Sequence, residues 1–390
     1  MDLGLARLEA ALAAGGHPEQ RFTAVQVAGT NGKGSICTLL AGMLNAAGLR
    51  VGIYRSPHLV SWCERIQIGD DWISPEDLRR DLQRWQPLGR QHRLTPFELL
   101  TAAAFDRFAA SELDLVVLEV GLGGRLDATT AHPQRRVIGF ASIGLDHREH
   151  LGDTIAAIAA EKAAVLRPGC LAVSGPQSPE AAAVLEAEAA RCGVQLHWVE
   201  PLAPAAAGGP RLGLSGDHQR HNAAVALGMV EALRRQGWTI PDPAVEQGLQ
   251  AARWPGRLEQ RHWRGRPLLL DGAHNPPAAL ALRRELLHGD GPAPRRWLLG
   301  IQRHKQAPAM LEALLIPGDQ ALITTIEGHR CWSRDDLIEA CPQLASQLET
   351  AADAAGALDW LTTTAAPSQP LPVIAGSLHL LGALIPALDP

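Results

Sequence analysis

The fold of the first part of this chain is decided by one stretch, Val27-Ala28-Gly29-Thr30-Asn31-Gly32-Lys33-Gly34-Ser35. The residues before its glycines, Thr23 to Ala28, are mostly apolar and partly β-branched, which predicts a buried strand. The Leu/Ala-rich run from Ile36 to Ala47 predicts a helix. A glycine-rich turn between a strand and a helix N-terminus lets backbone N–H groups point inward, where the helix dipole adds positive potential. The stretch therefore predicts a phosphate-binding loop, or P-loop.

Two side chains of this stretch add chemistry to the turn. Lys33 supplies a mobile cation for phosphate oxygens, and Ser35 places a hydroxyl where a phosphate-bound Mg²⁺ would lie. An extra glycine, Gly34, separates the lysine from the hydroxyl residue, which departs from the commonest P-loop spacing. A glycine-rich turn without a ligand is the alternative, but the context of strand, helix, lysine and hydroxyl favours a nucleotide.

Length and composition limit the classes of protein to which the chain can belong. At 390 residues the chain is too long for one ordinary core, so two domains are expected. A hydrophobic fraction of 46% with 20% charged residues is typical of a soluble globular protein. The net charge of −5 disfavours a general nucleic-acid binder, because such proteins are usually basic.

The cysteines and the distribution of apolar residues indicate where in the cell the protein is expected to be. The six cysteines are scattered and form no CxxC pair, which favours free thiols in a reducing cytosol over a disulfide framework or a zinc site. Residues 1–7 lack a basic region followed by an apolar one, and no run of about eighteen apolar residues occurs. We therefore expect a cytoplasmic protein that does not span a membrane.

Strands alternate with helices twice along the chain, which implies two parallel-sheet domains. The strands are predicted at Thr23–Ala28, Arg50–Tyr54, Leu113–Val120, Val137–Ile143, Leu171–Val173 and Val194–Val199, and then at Pro267–Asp271, Trp297–Gly300, Ala321–Thr325 and Leu371–Ala375. Trp254-Pro255-Gly256-Arg257 separates the two runs. We expect an α/β protein with domains 1–253 and 261–390 and a linker over 254–260.

Polar side chains at the ends of predicted strands are the next candidates for metal ligands and catalytic residues. Glu119 ends an otherwise apolar strand and is a candidate oxygen ligand for Mg²⁺, with a hydrogen-bonded buried acid as the alternative. His147 follows the next strand beside Asp146, where an ordinary structural histidine is the alternative. Lys162 lies on the following helix, which we predict Asp153 to cap. From composition alone, Lys162 would be a solvated side chain.

A set of short motifs occurs in one order over nearly the whole chain. They are residues 27–35, Ser56-Pro57-His58-Leu59, Glu64-Arg65-Ile66, Leu94–Glu98, Glu119–Thr129, Gly144–His147, His150–Thr154, Glu161–Ala163, Pro255–Arg257, Asp271–Pro276 and Gly376–Leu378. Together they resemble folylpolyglutamate synthase/dihydrofolate synthase, in the Mur ligase superfamily. The extra P-loop glycine is typical of this family and unlike the cell-wall Mur ligases. The resemblance implies a Mur-ligase-like N-terminal ATPase domain and a smaller Rossmann-like α/β C-terminal domain.

The resemblance implies ATP and two Mg²⁺ ions as cofactors. The residues expected to bind ATP are Asn31, Gly32, Lys33, Gly34, Ser35, Asn222, Arg257, Asp271 and His274. One Mg²⁺ would be held by Ser35 and Glu119, and a second by Ser56, Glu119 and His147. Lys33, His147 and Lys162 are the expected catalytic residues.

Lys162 resembles the carbamylated lysine of the family. Carbamylation needs a neutral amine, which burial or nearby cations favour, and it converts a cation into an anion suited to a metal-rich site. A third set of residues matches segments around the pterin-bearing substrate. This set is Asp2, Leu3, Gly4, Leu94, Thr95, Pro96, Phe97, Leu126, Asp127 and Ala128.

The implied activity is that of an ATP-dependent carbon–nitrogen ligase in folate biosynthesis and one-carbon metabolism. It would add L-glutamate to dihydropteroate, to (tetrahydro)folate, or to both. A carboxylate reacts poorly with an amine because oxide is a poor leaving group, so the γ-phosphoryl group of ATP would first convert it to an acyl phosphate. Arg257 and His274 would complete the site on closure of the domains, which shields the acyl phosphate from water.

Three alternatives remain open at this stage. A monofunctional folylpolyglutamate synthase would act on folates alone. A P-loop kinase or NTPase would move phosphate only, and the second domain with Asp271 to Pro276 disfavours it. A catalytically inactive binding protein is disfavoured by the intact Lys33, Glu119, His147 and Lys162. The partners are expected to be small molecules, with neither nucleic acid nor membrane, and the protein is expected to be a monomer.

Overall fold

The strand and the helix that flank the glycine-rich stretch form as predicted. The computed structural model describes residues 4–351, 353–363 and 370–389. Ala24–Ala28 is a strand and Lys33–Ala46 is a helix. The helix begins at Lys33 rather than at Ile36, because Gly32 adopts a φ of 96° at the N-cap and turns the chain directly into the helix. Lys33 and Ser35 therefore lie in the first helical turn.

The chain divides into two compact units, Met1–Trp254 and Pro255–Pro390. The strands of the first unit are β1 (Ala24–Ala28), β2 (Val51–Tyr54), β3 (Ile66–Ile68), β4 (Asp71–Trp72), β5 (Leu115–Glu119), β6 (Arg135–Phe140), β7 (Leu171–Ser174) and β8 (Gln195–Trp198). Its helices are α1 (Ala6–Ala14), α2 (Lys33–Ala46), α3 (Pro75–Gln91), α4 (Pro96–Ala109), α5 (Arg148–Leu151), α6 (Ile155–Ala163), α7 (Pro179–Cys192), α8 (His218–Arg235) and α9 (Asp242–Ala251).

The sheet of the first unit has the strand order β4-β3-β2-β5-β1-β6-β7-β8. β1 runs parallel to β5 and β6, and β2 runs parallel to β5 on its other side. Val27 lies opposite Glu119, and Tyr54 lies opposite Leu118. The P-loop, Glu119 and the residues after Tyr54 therefore meet at one carboxyl edge of the sheet, which is where open α/β sheets bind ligands.

Helices cover both faces of this sheet. Val25 and Val27 pack into a core with buried residues of α2, α8 and α9. The alternate residues of β1 point the other way: Ala24 packs with α1, α3 and α4, and Ala28 packs with α6 and α7. Because β1 is buried on both faces, its sequence is apolar throughout apart from Gln26, whose amide donates to Thr129 Oγ1 at 2.9 Å.

The second unit is also an α/β sheet with helices. Its strands are β9 (Glu259–Trp263), β10 (Arg266–Leu270), β11 (Arg296–Leu299), β12 (Gln320–Ile323), β13 (Leu348–Thr350) and β14 (Val373–Ala375), in the order β13-β12-β11-β14-β10-β9. Its helices are α10 (Pro276–Asp290), α11 (Ala307–Leu314), α12 (Arg334–Ala340), α13 (Ala354–Thr362) and α14 (Leu378–Leu384).

The two predicted parallel sheets are present, and each carries antiparallel pairing at one edge. In the first unit β3 pairs antiparallel with both β2 and β4, and in the second unit β9 pairs antiparallel with β10. Arg264 and Gly265 join β9 to β10 with φ values of 50° and 76°, the conformation of a tight hairpin turn. The last residues of the segment predicted as a linker, Glu259 and Gln260, already belong to β9.

Two further points concern local structure. The predicted helix cap at Asp153 is wrong by one residue, since the Thr154 side chain accepts a hydrogen bond from Ala157 N at the start of α6. All six cysteines are free thiols. Within the described ranges, the structure contains no helix with the length and apolar character needed to cross a membrane.

Candidate functional site

The P-loop is shaped by a close approach of two elements. Gly32 packs against Asn222 of α8, and a Cβ added at Gly32 would lie only 2.2 Å from Asn222 Oδ1. The backbone N–H of Thr30 donates to Ser142 O at 2.7 Å, which ties the loop to the segment after β6. Lys33 Nζ donates to Thr30 O at 3.1 Å and so lies over the loop. Asn222, Gly32 and Lys33, which were predicted to bind ATP, therefore belong to one site.

Lys162 is buried against the P-loop. Its side chain is 4% exposed, and Nζ donates to Gly29 O at 2.9 Å. Burial lowers the pKa of Lys162 to about 7, and the charge of Lys33 acts in the same direction. Asp146 and Asp127 oppose this shift. The composition-based expectation of a solvated lysine is therefore wrong, and a large fraction of this amine is neutral near pH 7.

Ser56 and Glu119 meet at the ends of two neighbouring strands. The backbone N–H of Ser56 donates to Glu119 Oε2 at 3.3 Å, and Glu119 is 4% exposed. Ser56 Oγ is buried and has no hydrogen-bond partner among the described residues. A buried hydroxyl without a partner beside a buried carboxylate fits the oxygen ligands that Mg²⁺ prefers. The hydroxyl of Ser35, on the first turn of α2, is also buried.

His147 lies at the start of α5 beside two acidic side chains. It adopts a φ of 51° at the N-cap of α5, and its ring nitrogens lie 3.8 Å from Asp146 Oδ2 and 3.9 Å from Glu149 Oε1. Within the described ranges no three or more His, Cys, Asp or Glu residues cluster closely enough to hold a metal ion. A set that includes a serine hydroxyl is not covered by that statement, so Ser56, Glu119 and His147 stay a prediction as a metal site.

Two of the three segments predicted to surround the pterin, those that contain Phe97 and Asp127, meet at Gly121. A Cβ added at Gly121 would lie 2.8 Å from Phe97 Cζ, 3.1 Å from Ser56 Oγ and 3.2 Å from Asp127 Oδ2. The Asp127 carboxylate accepts bonds from Gly121 N and Leu122 N, both at 2.9 Å, and from the backbone and hydroxyl of Thr129. Asp127 thus shapes the loop after β5. Of its sequence neighbours, Leu126 is exposed and Ala128 is buried.

The segment that contains Phe97 is also tied, through Glu98, to the helix that follows the N-terminal segment. Thr95 caps α4 in a capping box with Glu98, directly before Pro96. The Glu98 carboxylate accepts two bonds of 2.8 Å from Arg7 Nε, which ties α1 to α4. Gly4 lies two residues before α1. Asp2 and Leu3 lie outside the described residues.

A second cluster of predicted ATP residues lies within the second unit, after β10. Asp271 is buried, and its carboxylate accepts bonds from Leu258 N at 3.0 Å and Ala273 N at 2.9 Å. His274 Nδ1 lies 2.7 Å from Gly272 O. A Cβ added at Gly272 would lie 2.2 Å from Arg257 Nη1, so Arg257 also belongs to this cluster. The predicted ATP residues thus form one group in each unit.

The structure also shows a residue that the sequence analysis did not single out. Arg55 follows β2 directly and is buried beside Ser56. The available signal was a charged residue that continues an apolar strand into the Ser56-Pro57-His58-Leu59 motif. Arginine is rarely buried without a partner, so its position here needs an explanation.

Comparisons with known proteins identify the family to which the chain belongs. Residues 257–387 match the family model described as dihydrofolate synthetase, C-terminal domain. A dihydrofolate synthase/folylpolyglutamate synthase of Bacillus subtilis is 38% identical over 302 residues, which are 70% of this chain and 69% of that protein.

Two solved structures share the fold over nearly the whole chain. A Mycobacterium tuberculosis folylpolyglutamate synthase, solved with ADP and AMPPCP, is 32% identical with a TM-score of 0.89 and covers 97% of this chain and 94% of that one. A bifunctional folylpolyglutamate synthase/dihydrofolate synthase of Yersinia pestis, solved with AMPPNP and a manganese ion, is 30% identical with a TM-score of 0.85, covering 99% and 94%.

The P-loop sheet, the second α/β unit and these likenesses define an ATP-dependent ligase. The predicted fold class, an α/β protein with a Mur-ligase-like ATPase domain and a smaller α/β domain, is confirmed. The chain belongs to the folylpolyglutamate synthase/dihydrofolate synthase family. The resemblance inferred from the motifs is therefore confirmed.

Proposed function

We propose that this chain joins the amine of L-glutamate to the carboxylate of dihydropteroate and of folates, with ATP and a divalent metal ion. The observation that carries the proposal is the convergence on Gly121. There the ring of Phe97 and the carboxylate of Asp127, on the pterin side, come close to Ser56 Oγ, on the phosphate side. A pterin-bearing acid bound along these segments would present its carboxylate where the phosphoryl group is transferred.

The reaction needs an activated carboxylate. A carboxylate oxygen of the substrate attacks the γ-phosphorus of ATP and ADP leaves, which yields an acyl phosphate. The glutamate amine then attacks the acyl carbon, loses a proton, and inorganic phosphate leaves with the bonding electron pair. A bound divalent metal would supply Lewis-acid neutralisation of the phosphate charge. Lys33 and the N-terminus of α2 hold phosphate oxygens in position, which is most of what phosphoryl transfer requires.

We further propose that metal ions are held by two sets of residues, Ser35 with Glu119, and Ser56 with Glu119 and His147. The buried Ser56 Oγ without a partner supports the second set. ATP contacts are assigned to Asn31, Gly32, Lys33, Gly34, Ser35 and Asn222 in the first unit, and to Arg257, Asp271 and His274 in the second.

Lys162 is proposed to react with carbon dioxide. Its neutral amine attacks the carbon of CO₂, the nitrogen loses a proton, and a carbamate anion forms. The pKa of about 7 supports this step, because the nucleophile is the unprotonated amine. The carbamate would add a negative charge beside Lys33 and could serve as a further oxygen ligand in a site rich in metal and phosphate.

The two units are proposed to have different functions. Residues 1–253 bind ATP and the pterin, and residues 261–390 form the glutamate ligase domain. The active form is proposed to be a monomer. Size-exclusion chromatography with light scattering checks this, and an activity that appears only in a dimer fraction would contradict it.

A four-way ADP assay tests the proposed function. Purified protein, ATP and Mg²⁺ are combined with dihydropteroate and glutamate together, with each alone, or with neither. A ligase releases ADP continuously only when both substrates are present. A P-loop kinase would release ADP with dihydropteroate alone at the full rate, and an NTPase would release it with neither, so either result would contradict the proposal.

A further inference from the structure

Arg55 is a buried cation at the carboxyl edge of the first sheet. It lies between β2 and Ser56 and is 5% exposed. Its Nε atom is buried and has no hydrogen-bond partner among the described residues. A buried polar group without a partner is costly, and the cost is greater for a charged group. Ser56 Oγ, on the next residue, is buried without a partner as well.

The guanidinium group is held in place by Trp254. Arg55 Cζ lies 4.7 Å from the centroid of the Trp254 ring, which is a cation–π contact. The same indole lies against the P-loop, since a Cβ added at Gly34 would be 2.9 Å from Trp254 Cζ2 and 3.0 Å from Nε1. Trp254 is thus packed between the first turn of α2 and Arg55. The backbone N–H of Arg55 donates to Arg65 O at 3.0 Å, which fixes the start of the loop.

Arg55 lies among charged residues of both signs beside the P-loop. Burial lowers the pKa of the Arg55 guanidinium, and the nearby carboxylates of Glu119 and Glu64 oppose this shift. Burial, followed by Glu119, raises the pKa of the Cys37 thiol in α2, and both Arg55 and Lys33 oppose that shift. Arg55 therefore lies in the same charged neighbourhood as the P-loop lysine and the carboxylate beside Ser56. No residue in the described part of the chain accepts a hydrogen bond from Arg55 Nε, which leaves that N–H for a ligand oxygen.

We propose that Arg55 donates hydrogen bonds to the phosphoryl group that passes from ATP to the substrate carboxylate, with Trp254 as the positioning residue that holds its guanidinium. The inference rests on the proposed function and adds a catalytic residue to it. As the carboxylate oxygen bonds to phosphorus and the bond to the ADP oxygen breaks, negative charge spreads over the phosphoryl oxygens. Arginine suits this role because it stays charged and presents several N–H groups in one plane.

The test compares Arg55→Ala, Arg55→Lys and wild type. Calorimetry gives the dissociation constants of ADP and of AMPPNP, which differ in the terminal phosphate. We expect Arg55→Ala to weaken AMPPNP about tenfold and to leave ADP within about twofold. We expect kcat to fall about 100-fold, as on loss of one donor to a developing charge, with partial rescue by guanidinium ions in solution. Arg55→Lys should keep more of the AMPPNP affinity than Arg55→Ala.

A purely structural role predicts a different pattern. Equal weakening of ADP and AMPPNP, or a folded Arg55→Ala protein with wild-type kcat, would overturn the proposal. Arg264→Ala is the control, because Arg264 also stacks on a tryptophan, Trp263, with Cζ 4.9 Å from the ring, but lies exposed in the second unit. If Arg55→Ala does not fold, Arg55→Lys gives the same ADP and AMPPNP comparison. The comparison of ADP and AMPPNP measures binding and needs no ligase turnover. It can therefore support the role of Arg55 even if the protein does not catalyse the proposed ligation.

Discussion

Replacing Lys162 with methionine should make the protein more stable and inactive. Lys162 is buried, and its pKa falls from the usual 10.5 to about 7. That pKa difference means that the buried ammonium group lowers the free energy of unfolding by about 5 kcal/mol at low pH and by about 4 kcal/mol at pH 7. Methionine has a similar unbranched shape and no charge. It loses the bond from Nζ to Gly29 O, which contributes about 1 kcal/mol. We therefore expect Lys162→Met to raise the free energy of unfolding by about 3 kcal/mol at pH 7.

The pH dependence gives the sharper test. Below pH 7 the cost of the buried ammonium is fully present in the wild type. Between pH 7 and 10.5 the unfolded chain binds a proton at Lys162 that the folded protein does not, so wild-type stability rises with pH by about 1.4 kcal/mol per pH unit. The difference in free energy of unfolding between Lys162→Met and the wild type should therefore decrease with that slope as the pH rises. It should reach zero near pH 10.

The assay is urea unfolding of wild type and variant side by side, at pH 6.5 to 9.5, in buffer freed of carbon dioxide. Only the difference between the two proteins is interpreted, since unfolding of two units need not be two-state. A difference that stays constant over this pH range would refute the reasoning, because it would mean that Lys162 does not titrate near neutral pH.

Two further predictions concern Lys33 of the P-loop and Lys162 of α6. Lys33→Ala should keep the fold, because the Lys33 side chain is only half-buried and its amine donates to Thr30 O within the same loop, and it should abolish ligation. Circular dichroism measures the fold and amide product measures ligation, and normal turnover would contradict the P-loop assignment. Lys162→Ala should lose ligation, and formate or acetate in solution should restore part of it by replacing the carbamate. A free, solvent-facing ammonium at Lys162 in a crystal structure with ATP and Mg²⁺ would contradict the carbamate.

The local signals in the sequence were enough to locate much of the first site. A glycine-rich turn after an apolar run and an acid at the end of an apolar strand identify the P-loop and Glu119, because both depend on residues close in sequence. The pairing of β1 with β5 then places them at one edge. The capping residue was harder to assign, since Asp153 and Thr154 are both good caps and only the backbone conformation chooses between them.

Features that depend on distant residues could not be predicted from the sequence. The burial of Lys162 depends on packing of α6 against Gly29, which is 133 residues away in the chain. β9, with the sequence Glu-Gln-Arg-His-Trp, is polar and was assigned in part to a linker, because its strand conformation depends on pairing with β10. Arg55 and Trp254 are far apart in sequence, so their stacking also had no local signal.

Ligation to both substrates is tested most directly by mass analysis of the products of one protein preparation. The protein is incubated with ATP, Mg²⁺ and glutamate, and with either dihydropteroate or tetrahydrofolate at saturating concentration. We predict dihydrofolate from the first mixture and tetrahydrofolate extended by glutamate from the second. Extended folate without any product from dihydropteroate would leave a folylpolyglutamate synthase only, and the absence of amide product from both would contradict the ligase.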